Sequence, residues 1–188
     1  ADRNLEEALS RLRRIGALVE GEDRVDGLSR EEAVGLDAEV CRLIVENLEI
    51  DGTKLEPVLN FAAWAGRTDY QLPLEVFTVN YDLALETALE TLRVPYFDGF
   101  VGSLRGRFHT DLVESARSDQ DAWLPRFLVR LWKLHGSINW EWERTGLPEI
   151  VRLGAPVAGA SPAAIFPSDS KYQESRRVPF MVLQDRFR

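Results

Sequence analysis

The sequence predicts an α/β fold in which a parallel sheet with flanking helices follows a helical region. Two short segments, residues 75–79 and 127–134, are rich in aliphatic and aromatic side chains, as expected of buried strands. The first continues directly into a helical pattern whose apolar residues recur every three or four positions from Leu83 to Leu92. A strand that runs into a helix places the polar residues between them at the carboxyl edge of a parallel sheet, where open α/β folds bind ligands.

Residues 1–72 predict the helical region that precedes the sheet. Apolar residues at helical spacing predict three helices, and capping-box sequences open the second helix at 29–32 and the third at 53–56. Gly66 suits the C-terminal cap of the third helix. The core that contains the sheet is expected to occupy residues 73–188.

The rest of the chain predicts shorter elements. The polar stretch 103–121 predicts a long loop or a small insertion. Alternation of apolar and polar residues over 138–143 predicts a half-exposed strand, which residues 150–153 are expected to pair as a hairpin. Residues 163–166 predict another short strand, and Pro179 predicts the start of a last helix.

The composition narrows the classes of function. A net charge of −8 over 188 residues argues against unaided binding to nucleic acid or to an anionic membrane. The sequence contains no apolar run of the length, about 18 residues, that a membrane span needs. Cys41 is the single cysteine and lies in a helical apolar pattern. A core thiol, a reducing cytoplasmic setting and the absence of a four-thiolate zinc site are therefore expected.

Polar side chains follow both predicted strands. Asn80 and Asp82 follow the first strand and His135 follows the second, so all three share one edge if the strands lie in one parallel sheet. An amide can hold a sugar hydroxyl or a water molecule, and an imidazole can take a proton from such a group at neutral pH. Each residue also has a structural interpretation: Asp82 as a helix N-cap, Asn80 as a turn former and His135 as a structural side chain. By themselves they predict a ligand-binding site around Asn80 and His135.

Several segments, in order along the chain, resemble the sirtuin family. Phe-Thr-Val-Asn-Tyr-Asp at 77–82 resembles the Thr-x-Asn-x-Asp segment of sirtuins. Three further segments resemble the bacterial sirtuin-like branch in particular: Asp-Gly-Phe-Val-Gly at 98–102, Lys-Leu-His-Gly-Ser-Ile-Asn-Trp at 133–140, and Ile-Phe-Pro at 165–167 with Lys171. The resemblance extends from about Leu74 to Phe180. It implies a Rossmann-like, sirtuin-type parallel sheet with flanking helices.

The resemblance implies a sirtuin-like NAD+ hydrolase that converts NAD+ to nicotinamide and ADP-ribose. The bacterial branch is associated with NAD+ hydrolysis, often as the effector of anti-phage defence systems. Its members are frequently fused or bound to another module, such as an NTPase, an Argonaute-like protein or a nucleotide sensor. A homo-oligomer or a regulatory partner is therefore expected, and direct contact with membrane or nucleic acid is not. NAD+ is the substrate, and the chemistry needs no zinc or other metal.

The resemblance also implies roles for individual residues. Asn80 would contact the nicotinamide ribose and position the attacking water, and His135 would be the catalytic base. Asp82 would hold the same loop and assist with the ribose hydroxyls, and Thr78 would lie at the strand end against the nucleotide. Such groups stabilise the positive charge that develops on the ribose when the N-glycosidic bond breaks.

The sequence departs from the sirtuin pattern in two places. Sirtuins bind the pyrophosphate on a Gly-Ala-Gly-x-Ser loop; none precedes Asn80, and Gly-Ala-Ser at 159–161 is only a partial look-alike. Residues 73–188 are thus expected to form an incomplete core without this loop and the last strands. Deacetylating sirtuins usually carry four cysteines after the catalytic histidine, whereas residues 138–160 contain none. This favours NAD+ hydrolysis and leaves an NAD-dependent protein deacetylase, or a non-catalytic module that binds NAD+ or ADP-ribose, as the alternatives.

Overall fold

The computed structural model describes residues 4–21, 23–48, 55–67, 73–115, 129–143, 149–157, 162–166 and 176–188. Within these ranges the chain forms, in order, α1 (Leu5–Leu18), α2 (Arg30–Asn47), α3 (Glu56–Arg67), β1 (Leu74–Thr78), α4 (Ala84–Thr91), β2 (Tyr96–Phe97), β3 (Phe100–Val101), β4 (Arg105–Phe108), α5 (Thr110–Ser115), β5 (Val129–Lys133), β6 (Trp140–Glu143), β7 (Glu149–Leu153) and α6 (Phe180–Phe187). The predicted α/β class is confirmed, because helices flank a parallel three-stranded sheet and a helical region precedes it.

The parallel sheet has the strand order β1-β5-β2, so β5 is its central strand. β1 pairs with β5 in register from Leu74 opposite Val129 to Thr78 opposite Lys133, and β2 pairs with the first two residues of β5. All five residues of β5 are buried, as expected of a strand that is covered on both faces. The two strands with the strongest sequence signals are therefore direct parallel partners.

Each face of the parallel sheet is covered by its own hydrophobic cluster. Val129 and Leu131 of β5 pack with residues of α3 and α4. Trp132, the next residue after Leu131, packs with Trp140 of the second sheet and with Phe180 of α6. The division follows from strand geometry, because successive side chains point to opposite faces. Helices therefore cover one face, and the second sheet with α6 covers the other.

The second sheet is antiparallel and has the strand order β3-β4-β7-β6. The predicted hairpin is confirmed: β6 and β7 pair from Trp140 opposite Arg152 to Glu143 opposite Glu149. β4 pairs with β7 on its other side, from Arg105 opposite Leu153. Only residues 134–139 separate the last residue of β5, in the parallel sheet, from the first strand of this hairpin.

β4 and α5 lie within residues 103–121, where the sequence predicts a long loop or a small insertion, so a long loop was the wrong alternative. In β4 the exposed side chains of Arg105 and Arg107 alternate with the buried Gly106. Arg105 and Arg107 both pair with Glu143 across the second sheet, at 3.5 and 2.9 Å. Ion pairs between such exposed side chains contribute little, and a hydrophobicity pattern does not reveal that β4 pairs with the distant strand β7. Residues 116–121 lie outside the described part of the chain.

The ends of α2 and α3 can be compared with the caps that the sequence predicts. The capping box of α2 is confirmed: the Ser29 hydroxyl accepts from the Glu32 N–H at 3.2 Å, and the Ser29 N–H donates to the Glu32 carboxylate at 2.8 Å. Gly66 is not a cap, because α3 continues past it. It serves packing, since a Cβ atom there would lie 2.7 Å from Val94 Cγ2. Thr53, the cap residue of the capping sequence at 53–56, lies outside the described residues.

α1 and α2 pack against each other and against the segments that follow β1 and β5. Leu9 of α1 and Cys41 of α2 share a hydrophobic cluster with Tyr81, Ile138 and Phe166. The predicted core role of Cys41 is confirmed, since this residue is 2% exposed. Among the helices of the described ranges, none combines the length and the apolarity that crossing a bilayer requires.

Glu75, near the start of β1, anchors α6 to the sheet. Its carboxylate accepts hydrogen bonds from Arg130 at 3.0 Å, from Arg186 of α6 at 2.5 Å and from the indole N–H of Trp132. Arg186 also donates to the Val113 carbonyl at 3.1 Å. Burial raises the pKa of the Glu75 carboxyl, but the hydrogen bonds outweigh burial and bring the pKa below 4.5. The charged form of Glu75 therefore stabilises the fold.

Replacing Glu75 by Gln is expected to lower the free energy of unfolding by about 1–3 kcal/mol at neutral pH, because charge-assisted hydrogen bonds become neutral ones. Since folding lowers the pKa of Glu75, its contribution is complete above pH 4.5 and is lost as the pH falls through the folded-state pKa. Urea unfolding of wild type and Glu75→Gln at a series of pH values measures the difference. A difference that stays constant below pH 4.5 would contradict this assignment.

Truncating Leu9 to Ala is expected to lower the free energy of unfolding by about 2–5 kcal/mol, because Leu9 is 0% exposed and its removal leaves a cavity. Leu18→Ala is the matched control on the same helix, since Leu18 is 78% exposed and its loss should cost less than about 0.5 kcal/mol. Thermal denaturation followed by circular dichroism compares the two variants. Equal effects would contradict the packing of α1 against the rest of the chain.

Candidate functional site

Two loops lie side by side at the carboxyl edge of the parallel sheet. The first loop, residues 79–83, follows β1, and the second loop, residues 134–138, follows β5. They start level with each other because Thr78 and Lys133 are register partners at the ends of their strands. This is the edge that the sequence predicts for a ligand site.

Hydrogen bonds join the two loops along their length. The Leu134 N–H donates to the Thr78 carbonyl at 2.9 Å, which extends the ladder between β1 and β5. The Ile138 N–H donates to the Tyr81 carbonyl at 2.9 Å, and the Ser137 hydroxyl donates to the same carbonyl at 3.5 Å. The first and the last residue of the second loop are therefore both tied to the first loop or to its strand.

Lys133, the last residue of β5, adds a side-chain link between the loops. Its side chain is only 2% exposed. Its Nζ donates to the Asp82 carbonyl, to Ser137 Oγ at 2.9 Å and to Glu86 Oε1 at 2.7 Å. These three acceptors match the three N–H bonds of an ammonium group. One buried cation thus holds the first loop, the second loop and the first turn of α4.

Glu86 supplies the negative charge that balances Lys133. Burial raises the pKa of the Glu86 carboxyl above its usual value, and the Lys133 ammonium group offsets only part of this rise, by attraction and by a hydrogen bond. Glu86 Oε2 is buried and has no hydrogen-bond partner among the described residues. Removing the lysine would therefore leave a buried carboxylate without its ion-pair partner, which is strongly destabilising.

Asn80 is exposed in the first loop. Its N–H donates to the Thr78 hydroxyl at 3.0 Å, so this hydroxyl shapes the turn by which the chain leaves the strand. Thr78 itself is half-buried at the end of β1. The amide of Asn80 is thus presented to solvent and to any ligand at this edge, while the Thr78 hydroxyl supports the backbone beneath it.

Asp82 is half-buried, and its Oδ1 accepts a hydrogen bond from the Ala84 N–H at 2.9 Å. The interpretation of Asp82 as the helix N-cap is off by one residue. The observed α4 starts at Ala84, and Leu83 occupies the cap position without a side-chain hydrogen bond. The Asp82 carbonyl accepts from Lys133 Nζ and so belongs to the link between the loops. Asp82 still satisfies a free N–H of the first turn.

His135 is half-buried in the second loop, and its carbonyl accepts from the Ile165 N–H at 2.7 Å. Gly136 follows with a φ of +82°, and a Cβ atom there would overlap the Ala163 carbonyl oxygen. Only glycine fits this position without strain. The strand expected at 163–166 is reduced to a single bridge at Gly136. Residues 163–166 nevertheless hold the backbone of the second loop through this bridge and through the hydrogen bond from Ile165 to His135.

Apolar contacts connect both loops to the N-terminal helices. Tyr81 of the first loop packs edge-on against Phe166, with ring centroids 5.5 Å apart. Both rings, together with Ile138 of the second loop, belong to the cluster that contains Leu9 of α1 and Cys41 of α2. The helical region is therefore part of the support of the candidate site.

The residues that link the two loops, Lys133, Glu86 and Ser137, are missing from the sequence-predicted site. One of them carried a signal, because Lys133 is a charge within an apolar strand pattern and a buried charge needs a partner. Glu86 carried none, since a glutamate in the first turn of a helix is ordinary. Ser137 was visible only as part of the motif around His135.

The side chains at this edge are suited to binding a sugar and moving a proton. They comprise an exposed amide, a half-buried carboxylate, a half-buried hydroxyl and an imidazole, contributed by Asn80, Asp82, Thr78 and His135. Such groups can hold ribose hydroxyls and a water molecule and can accept a proton. Over the described ranges, no group of three or more His, Cys, Asp and Glu side chains is arranged to hold a metal ion.

One similar protein is the uncharacterized protein L772 of Acanthamoeba polyphaga mimivirus. The two are 27% identical over 92 residues, which is 48% of this chain and 31% of the viral protein. The matched part thus spans less than a third of that relative's length. The name of the viral protein states no activity.

The sequence also matches a protein family, over residues 74–181, described as the SIR2-like domain. The matched region begins at β1, includes both loops of the candidate site and ends in α6. It covers more than half of the 188 residues, and it confirms the sirtuin-like resemblance. Domains of this family bind NAD+. The chain therefore belongs to the family of SIR2-like domains.

Proposed function

We propose that this SIR2-like domain is a Rossmann-like NAD+ glycohydrolase, which converts NAD+ to nicotinamide and ADP-ribose. The observation that supports the proposal most is the parallel pairing of β1 and β5, which ends with Thr78 opposite Lys133. The loops that carry Asn80 and His135 leave the sheet from these neighbouring strand ends. An amide and an imidazole on adjacent loops are groups that hydrolysis of an N-glycosidic bond can use.

The reaction breaks the bond between the nicotinamide nitrogen and C1 of its ribose. Nicotinamide takes the bonding electron pair and leaves as a neutral molecule, so the positive charge moves to the ribose. A water molecule adds to C1 and loses a proton, which gives ADP-ribose. The protein needs only to hold the ribose, position the water and accept the proton.

The predicted site residues take the following roles in this proposal. His135 is the base, and the exposed amide of Asn80 contacts the nicotinamide ribose and orients the attacking water. Asp82 keeps the first loop in place through its hydrogen bond from Ala84, and it assists with the ribose hydroxyls. Thr78 lies against the nucleotide at the end of β1 and supports the turn that presents Asn80.

The motifs shared with bacterial sirtuin-like proteins support a wider proposal, in which NAD+ hydrolysis is the effector step of an anti-phage defence system. The domain would act in the cytoplasm as a homo-oligomer or with a fused or bound regulatory module, such as an NTPase, an Argonaute-like protein or a nucleotide sensor. The net charge of −8 favours a trigger that reaches the domain through such a partner rather than by direct binding of nucleic acid.

His135→Ala and Asn80→Ala are each expected to lower nicotinamide release by about 10²-fold or more, because a general base contributes factors of this size and positioning groups contribute comparable ones. The measurement is HPLC of the nicotinamide formed from NAD+ by the whole protein that contains this chain. His109→Ala is the matched control, since His109 is the other histidine of the chain and precedes α5 rather than lying in either loop. The control should retain wild-type activity.

Three outcomes would contradict this proposal. Wild-type rates in His135→Ala or Asn80→Ala would overturn the assignment of the site. Release of acetyl groups from an acetyl-lysine peptide, in step with NAD+ consumption, would identify a protein deacetylase. Binding of NAD+ or ADP-ribose without nicotinamide release, with any partner present, would identify a non-catalytic module.

A further inference from the structure

We propose that Lys133 is a positioning residue, whose buried ammonium group sets the separation between the loop that carries Asn80 and the loop that carries His135. Lys133 acts on the reaction through these loops. The effect of Lys133 on the reaction rate rests on the proposed NAD+ hydrolysis. The effect of Lys133 on the position of the two loops rests only on the hydrogen bonds of Lys133 Nζ.

The geometry is specific because one atom meets three separate segments of the chain. Lys133 Nζ donates to the backbone carbonyl of Asp82 in the first loop and to Ser137 Oγ in the second loop, 2.9 Å away. The third acceptor is Glu86 in α4, at 2.7 Å. Asn80 lies two residues before the first contact, and His135 lies two residues before the second. The ammonium group therefore fixes points close to both proposed functional residues.

Stability alone gives a weak reason for a charged residue at this position. Leu131 fills the equivalent position on the same face of β5 with an apolar side chain. Replacing a buried ion pair by apolar residues of similar size is often neutral or stabilising. The particular property of the Lys133–Glu86 pair is the set of directed hydrogen bonds that an apolar pair would lack.

Loss of these hydrogen bonds would loosen the loops without detaching them. The backbone bonds from Leu134 to Thr78 and from Ile138 to Tyr81 would still form and keep the two loops adjacent, but the bond from Ile138 would open more often. The Asp82 carbonyl and the Ser137 hydroxyl would no longer share a donor. A displacement of about 1 Å between reacting groups can lower a rate by about 10²-fold. The expected defect is therefore in kcat, because Lys133 does not bind NAD+ in this scheme.

The test uses a double variant of the whole protein that carries both Lys133→Met and Glu86→Met, and compares it with wild type. The double substitution removes both buried charges and keeps two unbranched side chains of similar length, so the variant is expected to fold with a melting temperature close to wild type. Nicotinamide release should show kcat lowered on the order of 10²-fold, with KM for NAD+ changed by less than about threefold.

Arg130→Met is the matched control, because Arg130 is the other buried cation of β5 and pairs with Glu75 at 3.0 Å. It should lower the melting temperature and leave kcat unchanged. The single variant Lys133→Met should lose both stability and kcat, and adding Glu86→Met should restore the stability alone. This separation of stability from rate is what a purely structural lysine would not produce.

Hydrogen exchange provides a readout that does not depend on activity. The Ile138 amide, which bonds to the Tyr81 carbonyl, should exchange at least about 10-fold faster in the double variant, while the Leu131 amide of β5 keeps its protection. Wild-type kcat in the folded double variant would overturn the catalytic role of Lys133 and leave the proposed hydrolysis intact. Unchanged exchange at Ile138 would overturn the positioning role itself, even if wild type releases no nicotinamide and the proposed hydrolysis has failed.

Discussion

The parallel ladder between β1 and β5 is the constraint on which the candidate site depends. Its register places Thr78 level with Lys133, so the first and second loops start together at one edge of the sheet. The bond from the Leu134 N–H to the Thr78 carbonyl carries the ladder past the strand ends. If the strands were antiparallel, the same two loops would leave from opposite edges. Asn80 and His135 therefore share an edge because of the backbone pairing of β1 and β5, which does not depend on the chemistry of these two side chains.

The central strand β5 contains two buried cations that serve different parts of the molecule. They lie three positions apart and so face opposite sides of the sheet. Arg130 meets Glu75, which also binds Arg186 and fastens α6 to the fold. Lys133 meets Glu86 and reaches the loops of the candidate site. Each buried cation pairs with a carboxylate, because an unpaired buried charge is strongly destabilising. One pair thus holds a structural element, and the other joins the parts of the site.

Much of the fold was predictable, because many elements carry their signal within a few neighbouring residues. The capping box of α2 and the hairpin of β6 and β7 agree with the structure on this ground. A long loop over 103–121 was the wrong alternative because β4 pairs with β7, which lies more than 40 positions further along the chain.

The sequence by itself determined the α/β class, the two strands of the candidate site, the polar residues that follow them and the motifs that mark a SIR2-like domain. These properties depend on the order of residues along short segments. Only the tertiary structure decided that β1 and β5 are direct neighbours, that α1 and α2 support both loops, and that Lys133 joins those loops to Glu86. Lys133 and Glu86 are 47 positions apart. A charged residue in an apolar strand pattern predicts that a partner exists, but only the folded chain shows which distant residue it is.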